Sequence, residues 1–276
     1  MKIAYCGYDF FSGCLQALLS RGENIYRVFT FDCDNRFDFN QYITDICQEY
    51  SIPLTDKPIS RTDIEQLQEE GCDLLITAGY RYRVPDLSGT NIKGINIHPT
   101  LLPIGRGPWP LSWTILTGQE RSGVTIHKLT EKFDAGDILL QEGFAVNQDE
   151  NLESLSAKTQ ILAKVMLPRV IEDFSNYWQN SKAQGGEYSY WPRPTNAERT
   201  LDWSNSVSFL DLMCRAFGKM GCYANFDGKF WMVYRLVAWP TRHDYEPGIV
   251  VHKTNTEMIV AASDGLVSLQ YFEPVS

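Results

Sequence analysis

No stretch of the 276-residue sequence strings together the roughly 18 apolar residues that a membrane-crossing helix needs, so no membrane partner is expected. The opening MKIAYCGYDF also lacks the apolar centre of a secretion signal, which points to a cytoplasmic protein. Positive charge is in short supply: 25 Lys and Arg face 34 Asp and Glu, for a formal net charge of -9. Proteins held to nucleic acid by its phosphates display basic patches, so no nucleic-acid partner is expected, although a local positive pocket could still take a small anion. Cys-x-x-Cys pairs are missing as well. The seven cysteines, Cys6, Cys14, Cys33, Cys47, Cys72, Cys214 and Cys222, are odd in number and scattered, and read as buried free thiols of a reducing compartment. The four histidines, His98, His127, His243 and His252, show no ligand spacing, so no metal is expected. GxGxxG is absent after the first strand, where only Gly7 and Gly13 stand, which sets aside a nicotinamide cofactor.

What is present is alternation. Hydrophobic residues at 43% and charged residues at 21% suit a folded chain with a sizeable core. Lys2 to Cys6 is short and apolar, and Phe11, Leu15, Leu18 and Leu19 then recur at helical spacing. Ile25 to Phe31 is a second apolar run, followed by Tyr42, Ile43, Ile46 and Tyr50 on one helical face. Asp73 to Tyr80 and GINIH from Gly94 read as two further strands. Strands alternating with helices imply a parallel sheet whose ligands gather at the carboxyl ends of its strands. SGVTIHKLT and AGDILLQEGFAV read as two strands around a tight turn at Asp134 to Asp137, and Leu152 to Phe174 as one long amphipathic helix. The fold expected is α/β, a Rossmann-like and mostly parallel sheet with helices on both faces, followed by a small β-barrel-like C-terminal domain. Residues 1–184 form the first domain, the Gly- and Pro-bearing 185–200 a linker, and 201–276 the second, with one helix at Val207 to Phe217 and hairpin turns at Asp227-Gly228 and Asp264-Gly265.

The stretch GINIHPTLLPIGRGPWPLSW carries the chemistry. In a strand, Asn96 and His98 share one face while Ile95 and Ile97 enter the opposite layer, and Pro99 ends the strand. Asp134 in FDAGD could simply build a turn. Together with Asn96 and His98, however, it makes a consistent apparatus for acyl transfer to an amine. The Asn amide donates to a developing oxyanion, the imidazole takes a proton from the amine, and the carboxylate fixes the imidazole tautomer and relays the proton through water.

INIHPTLLPIGRGPWPLSWTI, SGVTIHKLTEKFDAGDILLQE and LDWSNSVSFLDLMCRAF resemble the formyltransferases that use 10-formyltetrahydrofolate. The resemblance covers nearly the whole chain and implies catalytic roles for Asn96, His98 and Asp134, with a Rossmann-like catalytic domain and a barrel-like C-terminal one. Thr100 stands where the family usually has Ser, and Ile104-Gly105 replaces its more usual basic and tyrosine pair. The resemblance also implies a folate site formed by Ala78, Gly79, Tyr80, Arg81, Phe133 and Asp137, and an acceptor site that includes Arg106, Gly107 and Trp109. Tyr80 could equally be a packed aromatic, and Trp113 reads as core.

Three acceptors compete within that family: methionyl-tRNA, glycinamide ribonucleotide and a nucleotide-linked amino sugar. The glycinamide enzymes lack a C-terminal barrel. The tRNA enzymes carry a basic, Gly-rich insertion after the second strand, where this chain has the acidic DCDNRFDFNQY. GYRYRVP and PRPTNAERTLDW resemble the branch that formylates UDP-4-amino-4-deoxyarabinose. A stand-alone sugar N-formyltransferase is therefore expected, acting on a UDP- or dTDP-linked deoxyamino sugar for surface polysaccharide, with Arg81, Arg83 and Arg106 available to a diphosphate. Methionyl-tRNA formylation is the first alternative and a non-catalytic folate or nucleotide-sugar binding protein the second. The resemblance also implies a homodimer.

Overall fold

Strands covered on both faces lose their polar alternation and read as apolar runs, and the N-terminal strands show this directly. β1 (Lys2–Gly7), β4 (Leu74–Ala78) and β5 (Lys93–His98) are buried along most of their length. They join β2 (Asn24–Phe29), β3 (Leu54–Thr55), β6 (Arg121–Lys128) and β7 (Ile138–Ala145) in a seven-stranded sheet of order β3-β2-β1-β4-β5-β6-β7. The ladders from β3 through β5 are parallel; those joining β5 to β6 and β6 to β7 are antiparallel. The computed structural model describes residues 1–226 and 228–275.

Alternate residues of β1 feed two cores. Ile3 and Tyr5 pack with Leu15 of α1 (Ser12–Ser20), Ile43 of α2 (Gln41–Glu49) and Leu167 of α5 (Leu152–Glu172), while Ala4 and Cys6 pack with Ile64 and Leu67 of α3 (Arg61–Glu69). Helices therefore cover both faces, as the alternation requires. Two helices were not evident from apolar spacing. In α3 only Ile64 and Leu67 are buried, so its period is faint, but its start carries a capping box: the Asp63 amide donates to Ser60 Oγ at 3.2 Å and the Ser60 amide to Asp63 Oδ2 at 2.7 Å. The other, α4 (Pro110–Leu116), begins on a proline, the residue whose missing N–H costs nothing at a first turn. The long helix expected from Leu152 to Phe174 breaks at Asp173, and α6 (Phe174–Gln179) follows.

Contacts divide the chain into two units. One holds residues 1–110, 121–145 and 157–191, and the other 111–120, 146–156 and 192–276. The segment read as a linker is divided between them at Trp191 and Pro192. The second unit carries α7 (Val207–Phe217), where the Ser206 hydroxyl accepts from the Phe209 amide at 3.3 Å. Its antiparallel sheet has the order β10-β11-β12-β9-β8, from β8 (Cys222–Phe226), β9 (Lys229–Pro240), β10 (Val250–Lys253), β11 (Met258–Ala261) and β12 (Gly265–Pro274). Among the described residues no ladder joins β8 to β10. Leu210 and Phe217 of α7 pack on Val233, Val260 and Val267 of the sheet. Asp264 and Gly265 turn β11 into β12, with the Ala262 amide donating to the Gly265 carbonyl at 2.8 Å; in the turn read at Asp227-Gly228, Asp227 lies outside the described residues. Among the described residues no helix is long and apolar enough to cross a membrane.

Ser60→Ala is expected to destabilise the fold by about 0.5–2 kcal/mol, the range for loss of a helix cap, read as a lower denaturant midpoint at unchanged slope.

Candidate active site

Parallel and antiparallel pairing meet at β5, and the site is built there. Asn96 lies between Thr77 of β4 and His127 of β6 in the register. Its Oδ1 accepts from the Thr77 hydroxyl at 2.7 Å, while Nδ2 meets His127 Nε2 at 3.1 Å and Asp134 Oδ1 at 3.3 Å. His127 Nδ1 is 2.8 Å from the Lys128 carbonyl, which only accepts, so the neutral ring carries its proton on Nδ1 and offers Nε2 as acceptor to Asn96.

Two residues along the same strand face, His98 is 4% exposed. Its Nε2 is 2.7 Å from the Gly105 carbonyl and its Nδ1 is 3.4 Å from Asp134 Oδ1. A carbonyl accepts only, so the neutral imidazole is protonated at Nε2 and keeps a lone pair on Nδ1. The tautomer is thus set by the Gly105 backbone, not by the carboxylate to which sequence reasoning gave that task. Burial pushes the His98 pKa down, against the opposing pull of the Asp134 carboxylate and the Gly105 carbonyl.

Asp134 reaches the strand from the hairpin loop between β6 and β7. It is one of three non-glycine residues with a left-handed backbone among the described residues, at φ +51°. Its Oδ2 accepts from the Gly107 amide at 2.9 Å, and its Oδ1 is shared among Asn96, His98 and His127, the last at 3.6 Å. Burial alone would raise this carboxyl, but His98, His127 and the Gly107 amide outweigh it and hold Asp134 ionised well below the ordinary carboxylate range.

The turn after β5 is shaped by glycine. Gly107 sits at φ +109°, and a Cβ there would lie 2.6 Å from the Trp191 carbonyl oxygen. Arg106 between the glycines is engaged: Nε and Nη2 both donate to Gln184 Oε1, at 3.1 and 2.7 Å, and the guanidinium lies 4.9 Å from the Tyr188 ring centre. The Trp109 amide donates to the Trp191 carbonyl at 3.4 Å.

The residues read as the folate site fall in two places. Phe133, 61% exposed, flanks Asp134, and Asp137 pairs with Lys128 Nζ at 3.2 Å in the same loop. Ala78 ends β4, and Gly79 follows at φ +68°, where a Cβ would lie 2.8 Å from the Tyr8 ring. The Tyr80 hydroxyl accepts from the Ile59 amide at 3.0 Å, and Arg81 pairs with Asp38 at 3.3 Å while lying 4.3 Å from the Phe31 ring centre. Sequence reasoning missed Thr77, His127, Gly105 and Gln184. His127 had a signal, since it is the imidazole of SGVTIHKLT, the strand read next after GINIH; the Gly105 carbonyl, being backbone, had none.

Two family models match: Formyl transferase over residues 46–171 and Formyl transferase, C-terminal domain, over 194–274. The chain belongs to the formyltransferase family. A methionyl-tRNA formyltransferase of Syntrophus aciditrophicus (strain SB) is 30% identical over 80% of this chain and 73% of its own length. Among solved structures, the N-formyltransferase from Helicobacter canadensis in complex with folinic acid and dTDP-3-aminofucose superimposes with a TM-score of 0.71 at 15% identity, covering 98% of this chain and 99% of that one. HypX from Aquifex aeolicus in complex with tetrahydrofolic acid gives 0.72 at 19% identity; it matches all of this chain, which spans 44% of HypX. Folate is the co-substrate of the family, as expected from the sequence.

Gly107→Ala forces a side chain onto a left-handed backbone against the Trp191 carbonyl and is expected to lower stability by about 1–3 kcal/mol, measured by thermal or denaturant unfolding.

Proposed function

We propose that the protein transfers a formyl group from 10-formyltetrahydrofolate to the amine of a UDP- or dTDP-linked deoxyamino sugar, without a covalent enzyme intermediate. The observation that carries this reading is the meeting of an amide, an imidazole and an ionised carboxylate, with Asn96 and His98 both within 3.4 Å of one oxygen of Asp134. The donor supplies a formyl carbonyl. A bond forms from its carbon to the amine, the bond to folate N10 breaks, and one proton passes from the amine to N10. Asn96 has two amide protons. His127 holds one at 3.1 Å, so the longer 3.3 Å contact to Asp134 is the one that a carbonyl oxygen gaining negative charge would replace. His98 accepts the amine proton at Nδ1, and the resulting imidazolium is held at both ends, by the Gly105 carbonyl and by Asp134 Oδ1. Ala78 to Arg81, with Phe133 and Asp137, would hold the folate; Arg106, Gly107 and Trp109 line the acceptor side.

For the acceptor, the loop after β2 favours a sugar over tRNA. Asp34 Oδ1 gathers the amides of Arg36, Phe37 and Asp38 at 2.8–3.0 Å, making a tight acidic turn that repels phosphates. Structural neighbours that include a complex with an amino-sugar nucleotide support the same choice. Methionyl-tRNA formylation is the second reading, favoured by the names of the sequence relatives.

Purified protein incubated with the formyl donor and a panel of nucleotide-linked amino sugars or charged initiator tRNA is expected to release tetrahydrofolate with a sugar. Turnover with tRNA alone overturns the acceptor, and binding without turnover on any amine overturns the enzyme. His98→Ala and Asn96→Ala are each expected to lower turnover on the order of a hundredfold or more. The sign of the pH dependence follows from His98, which must be neutral to accept a proton. Its pKa lies below the ordinary 6.5, so the acid limb of kcat/KM is expected below that pH. Asp134→Asn removes the carboxylate that raises the His98 pKa, so residual activity should show that limb at still lower pH.

A further inference from the structure

We propose that Gln184 is the positioning residue for the Asp134 carboxylate, one side-chain amide tying the turn that carries Asp134 to Arg106 of the glycine turn. The inference rests on the reading of Asp134 as part of the reacting site. Gln184 Nε2 donates to the carbonyl of Asp134 and to that of Gly136, both at 2.8 Å, and its Oε1 accepts twice from Arg106. Two donors and two acceptor positions are all a carboxamide has, so the group is saturated. Its orientation is unambiguous: carbonyls only accept and a guanidinium only donates, so a flipped amide would oppose like with like at every contact.

The turn needs such a hold. Asp134 occupies a left-handed backbone that a non-glycine residue keeps only when its surroundings impose it. The Gly107 amide fixes the carboxylate from one side; Gln184 fixes the peptide carbonyls from the other. Both holds come from one assembly, because Arg106 is itself anchored. Its amide donates to the Ser189 carbonyl at 3.0 Å, and its carbonyl accepts from the Trp191 amide at 2.6 Å. The segment bearing Gln184 is fastened to the head of β7 by reciprocal bonds between Lys182 and Ile138, at 2.7 and 2.9 Å. Without Gln184 the loop keeps its ends but loses the grip at its centre, and the carboxylate drifts from Nδ1 of His98.

The experiment uses Gln184→Met, which keeps the length and no hydrogen bonds, and Gln184→Glu, which keeps the acceptor for Arg106 but cannot donate to the two carbonyls. Both full-length variants are checked by thermal unfolding. Two readouts follow: formyl transfer kinetics, and titration of the His98 ring by NMR in the ligand-free protein. Besides Asp134, the groups facing His98 are the Gly105 carbonyl and the His127 ring, 6.4 Å away centre to centre. Both variants are expected to lose on the order of tenfold to a hundredfold in kcat with KM for the donor changed by no more than about twofold. Both should titrate His98 at lower pH than the parent, since the carboxylate that raises its pKa has moved away. Wild-type kcat and an unmoved His98 titration in either folded variant overturn the proposal. Should the parent protein transfer formyl to no amine, the proposed function fails, and the His98 titration alone then decides the role of Gln184.

Discussion

A largely buried carboxylate in need of partners, Asp134, organises this site. Taking an ionised Asp out of water is costly unless donors surround it, and the chain spends four separate segments on doing so. β5 donates the Asn96 amide and sets the His98 ring against the carboxylate, β6 adds the His127 ring, the glycine turn donates the Gly107 amide, and the stretch before Trp191 supplies the Gln184 amide that holds the backbone beneath. Each of these side chains is held by a further bond: Thr77 on Asn96, the Gly105 carbonyl on His98, the Lys128 carbonyl on His127, and Arg106 on Gln184. The tautomers of the two neutral imidazoles are consequently set by main-chain carbonyls, which leaves Nδ1 of His98 facing Asp134 Oδ1.

The fold was legible wherever burial repeats along one segment. The parallel strands announce themselves as apolar runs, and α7 spans Val207–Phe217 as its spacing predicts. α3 escaped because a helix that buries only Ile64 and Leu67 leaves almost no period, although the Ser60 to Asp63 cap was present to be read. In the site, the sequence exposed the residues that share a strand or a motif, Asn96, His98 and Asp134. It could not expose the Gly105 carbonyl, a backbone group, nor the partnership of Gln184 with Arg106, which are 78 positions apart. Arg106, read as free for a diphosphate, proves to be engaged by Gln184 and Tyr188, so its part in acceptor binding would require exchange of those contacts.

The acceptor question is posed by two kinds of similarity that point apart. Sequence relatives carry the names of tRNA enzymes, while superimposed structures include one holding a deoxyamino sugar nucleotide. The proposed sugar acceptor rests on local chemistry. The place after β2 is a short acidic turn tied around Asp34, and Arg81 beside it is neutralised by Asp38. A surface of this sign suits a compact ligand recognised by a few groups more than a long polyanion recognised by its charge.

The antiparallel entry of β6 has a temporal consequence. The hairpin bearing Asp134 folds back on β5, and the Gln184 amide that bonds it comes fifty positions later, so those bonds form only after the hairpin has been synthesised. On the proposed role of Gln184, a nascent chain whose strands have already paired would hold the Asp134 carboxylate loosely until the segment ending at Trp191 has left the ribosome.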